Sequence, residues 1–306
     1  MSTMTDPNAL IKVEAVEKKF FLPTETVHAL KNVNFEIPKN SFSIIYGPSG
    51  SGKSTLLNTI VGLEPPTTGK VIIDGQDLYA LNADKRANFR ARTLGMVYQT
   101  NYWVNSLNVL ENVCMPLFLS GYSRRQAALI ALESLELVGM QDYAKKRPTL
   151  LSGGQQQRVS MARAIIANPD LIVADEPTGN LDTKNGDMIM NLLSDLNHKM
   201  QKTIILVTHN LEYLSLSSHR VQIKDGEAIE DDGNFGMSSA EKQAKIKKIR
   251  ESLVKQPAGG KAPTIAELTA QLANVGSINT DDKNTSKTND QPAVKPIDAV
   301  SKRKGN

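Results

Sequence analysis

Short apolar runs alternate with longer helix-like stretches over residues 11–230, the pattern of an α/β fold. Three runs stand out: Phe42–Tyr46, Leu171–Ala174 and Thr203–Thr208. Each is rich in Ile, Val or Leu, too short for an ordinary helix, and continuous rather than alternating, which predicts parallel strands buried on both faces. Each is followed at once by polar or Gly-rich residues. In open α/β sheets, ligands bind just beyond the carboxyl ends of the strands. The runs Val71–Ile73 and Val221–Ile223 are each followed by an Asp-Gly pair, Asp74-Gly75 and Asp225-Gly226, which predicts hairpin turns between antiparallel strands. The Ala/Leu-rich stretch Arg124–Met140 predicts a helix, placed to belong to an inserted helical subdomain.

The pattern stops near residue 232. Beyond it Ser, Thr, Asn, Gly, Pro and Lys dominate. Ser238–Lys255 and Thr264–Asn274 can each form a helix, and the last 30 residues are expected to be disordered, because they offer little apolar surface to offset chain entropy. The predicted organisation is a flexible N-terminus (1–10), one folded domain (11–232, its helical part at about 100–160) and a C-terminal tail (233–306). Charge follows the same division. The tail holds 13 Lys/Arg against 7 Asp/Glu, whereas the first 232 residues hold 23 against 25. A basic tail suits an anionic membrane face or a partner; the plainer expectation is a solvated extension.

Composition excludes some classes. A single cysteine, Cys114, forms no intramolecular disulfide, fits a reducing compartment and reads as a small buried apolar residue. The first residues lack the charged and apolar regions of a signal peptide. No run approaches the ~18 apolar residues that span a bilayer, so a membrane role needs another chain. His28, His198 and His219 show no metal-ligand spacing and read as surface or packing residues.

The segment GPSGSGKST comprises Gly47, Pro48, Ser49, Gly50, Ser51, Gly52, Lys53, Ser54 and Thr55. It fits G-x-x-x-x-G-K-[ST] and lies between a predicted strand and a helix-like run starting at Leu56, as the motif requires. Glycines let the backbone wrap phosphate oxygens. The helix N-terminus presents N–H groups and about half a positive charge to the anion. Lys53 adds a full charge near the β- and γ-phosphates, and the Ser54 hydroxyl is placed to ligate Mg²⁺. By itself the loop means an NTPase or a nucleotide kinase. LIVADEPTGNLD, Leu171–Asp182, puts Asp175 and Glu176 at a strand end. Asp175 can hold Mg²⁺ opposite the loop, and Glu176 can orient or deprotonate a water.

LSGGQQQR, Leu151–Arg158, places Ser152 and two glycines ahead of a helix beginning near Gln155, a second anion site. Here the chain resembles the ABC ATPase family, whose diagnostic motif is LSGGQ. The likeness covers about residues 11–230. It implies an α/β P-loop NTPase (RecA-like) core with an antiparallel β subdomain and an inserted helical subdomain. It also implies that two domains pair head to tail, with Ser152, Gly153, Gly154 and Gln155 of one closing on the γ-phosphate held by the other. By the same resemblance Gln99 in MVYQ is the Q-loop glutamine that touches Mg²⁺ and water. Asp182 in GNLD belongs to the D-loop at the dimer interface, His209 in LVTHN is the switch histidine, and Phe20 in VEKKF stacks on adenine, where the family often has Tyr.

TETVHALKNVNFEI, NTIVGLEPPTTGKVIIDG and the LSGGQQQR segment are similar to the lipoprotein-release, macrolide-efflux and cell-division subgroup. That likeness implies an ATP-hydrolysing subunit at the cytoplasmic face of the cell membrane, driving an integral membrane permease-like partner. Catalysis would fall to Glu176, His209 and Gln99, and Mg²⁺ to Ser54, Gln99 and Asp175. After Gln99 the chain departs from its relatives with TNYWVNSLNVLENV, Thr100–Val113. Trp103, the only tryptophan, lies where the family receives the partner's coupling helix; either it anchors that interface, or it packs with Tyr102 inside the helical subdomain. The alternative function is a soluble ABC ATPase acting on nucleic acid or ribosomes. With only 51 residues between Gln99 and Leu151, no long coiled-coil insertion fits, and one cassette per chain disagrees with the family's translation factors. No nucleic acid partner is expected, and membrane contact would come through the partner or the basic tail.

Overall fold

The structure, a computed structural model, describes residues 8–231. The expected tail with its two helices, and most of the expected flexible N-terminus, lie outside the described residues. Within that N-terminus, Ala9 and Leu10 already belong to the first strand, and Leu10 is buried.

Two sheets form the frame. The first is antiparallel, in the order β2-β1-β4-β5, built from β1 (Ala9–Phe21), β2 (Thr26–Pro38), β4 (Thr68–Ile73) and β5 (Gln76–Asp77). The second has the order β10-β9-β3-β8-β7-β6, from β3 (Phe42–Tyr46), β6 (Leu94–Val97), β7 (Leu171–Asp175), β8 (Thr203–Thr208), β9 (His219–Lys224) and β10 (Glu227–Asp231). From β9 through β6 every pairing in this sheet is parallel, and only β10 runs antiparallel. The three apolar runs are therefore its central strands. Side chains alternate across a strand. Ile44, Ile172, Ala174, Ile204 and Leu206 enter one core, and Ile45, Val173, Ile205 and Val207 the other. Burial on both faces explains why these runs read as continuously apolar.

The first core joins the sheet to α3 (Val109–Leu119), α4 (Arg124–Leu137), α5 (Gly153–Ile165) and α6 (Thr183–Met200). It includes Cys114, as expected of a small buried residue. The second core lies between the sheet, α1 (Lys53–Ile60) and the antiparallel sheet. Both Asp-Gly pairs make their hairpins, Asp74-Gly75 between β4 and β5 and Asp225-Gly226 between β9 and β10, with positive φ at all four residues. The second hairpin also ties the two sheets together, since Lys31 N–H donates to the Gly226 carbonyl at 2.8 Å. The remaining helix, α2 (Ala83–Thr93), precedes β6 and buries no residue fully. Trp103 and Tyr102 part company: the indole is half-buried against the first core, whereas Tyr102 is 69% exposed.

Candidate functional site

Strands β3, β8, β7 and β6 are adjacent and parallel, so their carboxyl ends share one edge of the sheet. β3 runs into the loop before α1, β6 is followed by Gln99, β7 ends at Asp175 beside Glu176, and β8 is followed by His209. These segments enclose a cavity of about 650 Å³. Its walls include Ser49, Gly50, Gly52, Lys53, Ser54 and Thr55 of the loop, together with Gln99, Asp175, Glu176 and His209. Gly47, Pro48 and Ser51 form the back of the loop and do not line the cavity. A tight loop can turn only some of its residues to one side. The carbonyls of Gly47 and Pro48 accept from Lys53 Nζ at 2.9 and 2.8 Å, and the Ser51 carbonyl accepts from Gly226 N–H at 3.1 Å.

The loop has the chemistry of an anion cradle. Gly52 has φ of 105°, and a Cβ there would lie 2.6 Å from the Ala29 carbonyl oxygen. At Gly47 a Cβ would lie 2.0 Å from the Ile223 carbonyl oxygen. Helix α1 opens with no side chain capping its amides and no acidic residue in its first turn. Its free N–H groups and partial positive charge are thus open to a phosphate. Lys53 is nearly buried and spends two of its three N–H bonds on the loop, which fixes the ammonium at the cavity wall.

Opposite stand the acids. Burial raises the Asp175 carboxyl above the ordinary carboxylate range, the neighbouring Glu176 adds to this, and Lys53 opposes it. Glu176 sits at φ of 44°, a strained left-handed backbone for glutamate, and its N–H donates to the Val207 carbonyl at 2.9 Å. Its Oε1 lies 2.8 Å from His209 Nδ1, and Thr208 Oγ1 donates to Oε2 at 3.4 Å. The Glu176 carboxylate is 15% exposed and the His209 imidazole 69%. Gly179 leaves room for Gln99, whose amide nitrogen would lie 3.3 Å from a Cβ there. This arrangement can hold a polyphosphate on one wall and present an oriented carboxylate to a water on the other.

The remaining predicted residues lie elsewhere. Ser152 caps α5: its Oγ accepts from Gln155 N–H at 3.4 Å, and Gln155 Oε1 accepts from Ser152 N–H at 3.0 Å. Ser152 and Gly153 are exposed. Asp182 caps α6, accepting from the Asn185 backbone and side chain, both at 2.8 Å, and these bonds hold its carboxyl below the ordinary range. Gly154 packs against Asn185, where a Cβ would lie 2.6 Å from Oδ1. The Ser152 and Asp182 turns are thereby joined. Phe20 is 36% exposed, pairs with Val27 across β1 and β2, and carries Lys18 Nζ 5.0 Å from its ring centre. Val27 lines the cavity and Phe20 does not.

Sequence reasoning missed Val27, His28, Lys31, Asp225 and Gly226 as cavity walls. His28 reads as an ordinary surface histidine, and it is exposed. Asp225-Gly226 reads only as a turn. Its place against the loop comes from pairing across the molecule, which local pattern does not carry. Among the described residues no group of three or more His, Cys, Asp or Glu is placed to hold a metal.

Comparison with known proteins agrees with this geometry. The family model described as ABC transporter matches residues 30–179. An uncharacterized ABC transporter ATP-binding protein of Thermotoga maritima is 46% identical over 220 residues, covering 71% of this chain and 94% of the relative. The lipoprotein-releasing system ATP-binding protein LolD of Oleidesulfovibrio alaskensis is 39% identical over 218 residues, covering 71% and 94%. MJ0796 of Methanocaldococcus jannaschii is 43% identical over 224 residues, covering 71% of this chain and 94% of its own. A dimeric post-hydrolysis structure of that ATP-binding cassette, bound to ADP and Pi, matches with a TM-score of 0.69 at 40% identity, covering 72% of this chain and 97% of the other. With a P-loop NTPase fold, a phosphate cradle and a facing carboxylate pair, the chain belongs to the ABC transporter ATP-binding family and is an ATPase.

Proposed function

We propose that two copies pair head to tail around two ATP molecules, and that the Ser152–Gln155 turn of each closes on the phosphates held by the other. One observation carries this reading: the cavity gathers Lys53, Asp175, Glu176 and His209, while the exposed turn at the head of α5 lies outside it. The Ser152 cap takes up the Gln155 N–H, and the other first-turn amides of α5, with their partial positive charge, suit an anion that its own chain does not hold there. Asp182, joined to that turn through Asn185, falls in the same interface. The relative MJ0796 is itself dimeric in its post-hydrolysis structure.

In this mechanism the amides of α1 and the loop, with Lys53, neutralise the phosphates. Mg²⁺, when bound, adds positive charge on the phosphate oxygens. Ser54, Gln99 and Asp175 would hold it, a hard-oxygen set that leaves room for water and phosphate. Glu176 accepts the proton of the attacking water. With its proton on Nδ1, His209 donates to Glu176 Oε1, which orients the carboxylate toward the water. Phe20 stacks on adenine at the rim, where its neighbour Val27 meets the cavity.

The work is delivered to an integral membrane partner at the cytoplasmic face of the membrane. Among the described residues no helix is long and apolar enough to cross a bilayer. A largely apolar groove of about 460 Å³ lies between the core and the helical layer, with Leu63, Met96, Tyr102, Met115 and Leu119 on its walls and Arg163 among them. It fits a short amphipathic segment of that partner. LolD, by its name, serves a lipoprotein-releasing system, and we place this chain in the same class of work.

The test is Glu176→Gln. The variant is expected to bind ATP, form a dimer with it, and lose hydrolysis by about 10²–10⁴-fold. Light scattering with and without ATP, alongside phosphate release, measures both. Hydrolysis near the parent rate would remove Glu176 from the catalytic role.

A further inference from the structure

We propose that Trp103 is a positioning residue, which fixes the Ser152–Gln155 turn from the groove side of the molecule. This deepens, and rests on, the reading that the turn acts on the phosphates of a second copy. The indole Nε1 donates to Gln156 Oε1 at 2.8 Å. The same carboxamide donates through Nε2 to the Leu151 carbonyl at 3.1 Å, and Leu151 immediately precedes Ser152. One N–H thus chooses the orientation of the amide. With the oxygen turned to the indole, the nitrogen is left for Leu151.

The other side of the ring meets Arg163. Its guanidinium lies 4.6 Å from the ring centre and donates to the Asn101 and Tyr102 carbonyls at 2.6 and 3.4 Å. Gln156 and Arg163 are seven residues apart on α5, so they share one face of that helix. Gln157 adds a parallel tie, donating to the Tyr98 carbonyl at 3.3 Å, just before Gln99. Tyr98, Tyr102 and Arg163 all line the groove. A continuous set of contacts therefore runs from the groove through guanidinium, indole and carboxamide to the backbone at the head of α5. Tyr102 is held in left-handed backbone, with φ of 47°, in the middle of this joint. A group seated in the groove presses on the same side chains that orient the turn.

The experiment compares Trp103→Phe, Gln156→Glu and Gly153→Asp in the full chain. Trp103→Phe keeps an aromatic ring beside Arg163 and removes the indole N–H together with the fused pyrrole ring. Gln156→Glu keeps the acceptor for the indole and removes the donor to Leu151. Saturated ATP turnover, binding of a fluorescent ATP analogue and thermal melting are measured for each. Both joint variants are expected to lower kcat roughly three- to tenfold. Nucleotide affinity is expected to stay at the parent value, because the cradle is untouched, and thermal melting confirms that each variant is folded at the assay temperature. Parent-level kcat in both, or a kcat loss matched by an equal loss of nucleotide affinity, would overturn the proposal. Gly153→Asp separates the two levels: a Cβ there meets nothing closer than 3.8 Å, and the added carboxylate opposes a phosphate facing the turn. If Gly153→Asp hydrolyses at the parent rate, the use of the turn itself is wrong. If it is silent while both joint variants turn over normally, only the joint is wrong.

Discussion

At Glu176 a strained backbone coincides with the side-chain geometry of the proposed base. A left-handed φ in a residue with a Cβ costs about 1 kcal/mol or more, and here it follows the last residue of β7, where the side chain reaches His209. Asp175, one residue earlier, keeps regular strand pairing with Val207, and burial raises its carboxyl above the ordinary range. A second titratable residue has a structural consequence. Burial holds His219 below the ordinary imidazole value, while Glu230, with Oε1 3.8 Å from Nε2, pulls it back up. Its Nδ1 is buried without a partner among the described residues. The folded chain thus takes up this proton less readily than the unfolded chain does. Stability is complete above the unfolded value of about 6.5 and declines as pH falls from there toward the depressed folded value. Thermal melts between pH 7.5 and 5.5 are expected to fall less steeply for His219→Gln than for the parent. Equal slopes would show that His219 plays no part in the decline.

Among the elements, the parallel strands are the most legible. Ile172 and Val173 face different cores, so their whole run is apolar, and the sequence predicts β7 only one residue short of its end. The phosphate loop and the caps are also local chemistry, and the α5 helix begins two residues before the predicted start because Ser152 already caps Gly153. The long strands β1 and β2 are less legible. Their pairing shifts register near Val13, Val16 and Lys18, and Ala15 and Asn32 take positive φ, so the period-two pattern is broken along them. The walls at His28 and Lys31, and the bond from Trp103 to Gln156, arise between elements distant in sequence and leave no mark in either segment alone. The groove is also of this kind. Leu119, at the end of α3, is 76% exposed on its wall and takes no part in the phosphate site. Leu119→Asp is expected to reduce recruitment to partner-containing membranes at least about tenfold, by leaving a charge unpaired in the interface, and to keep basal hydrolysis. Flotation with membranes, paired with phosphate release, checks both; unchanged recruitment would remove Leu119 from the docking surface.

For the whole molecule, the two cores on either side of one sheet give each functional segment a different support. The cradle rests on α1 and the second core, and the Ser152 turn on the helices of the first. The Gly226 hairpin locks the antiparallel sheet against the loop through the Ser51 and Lys31 bonds. Helix α5 is tied through Gln157 to Tyr98, beside Gln99, and through Gln156 to Trp103, the route by which the proposed docking in the groove would bear on the strand-end site. What a single copy does not do is bring its own Ser152 turn into its own cavity. The most direct measurement mixes two crippled chains, Lys53→Ala, with an intact turn, and Gly153→Asp, with an intact cradle. Random pairing makes about half the dimers mixed, each with one complete site, so ATP hydrolysis is predicted to recover to roughly a quarter of the parent rate. A mixture as silent as its two components would contradict the account.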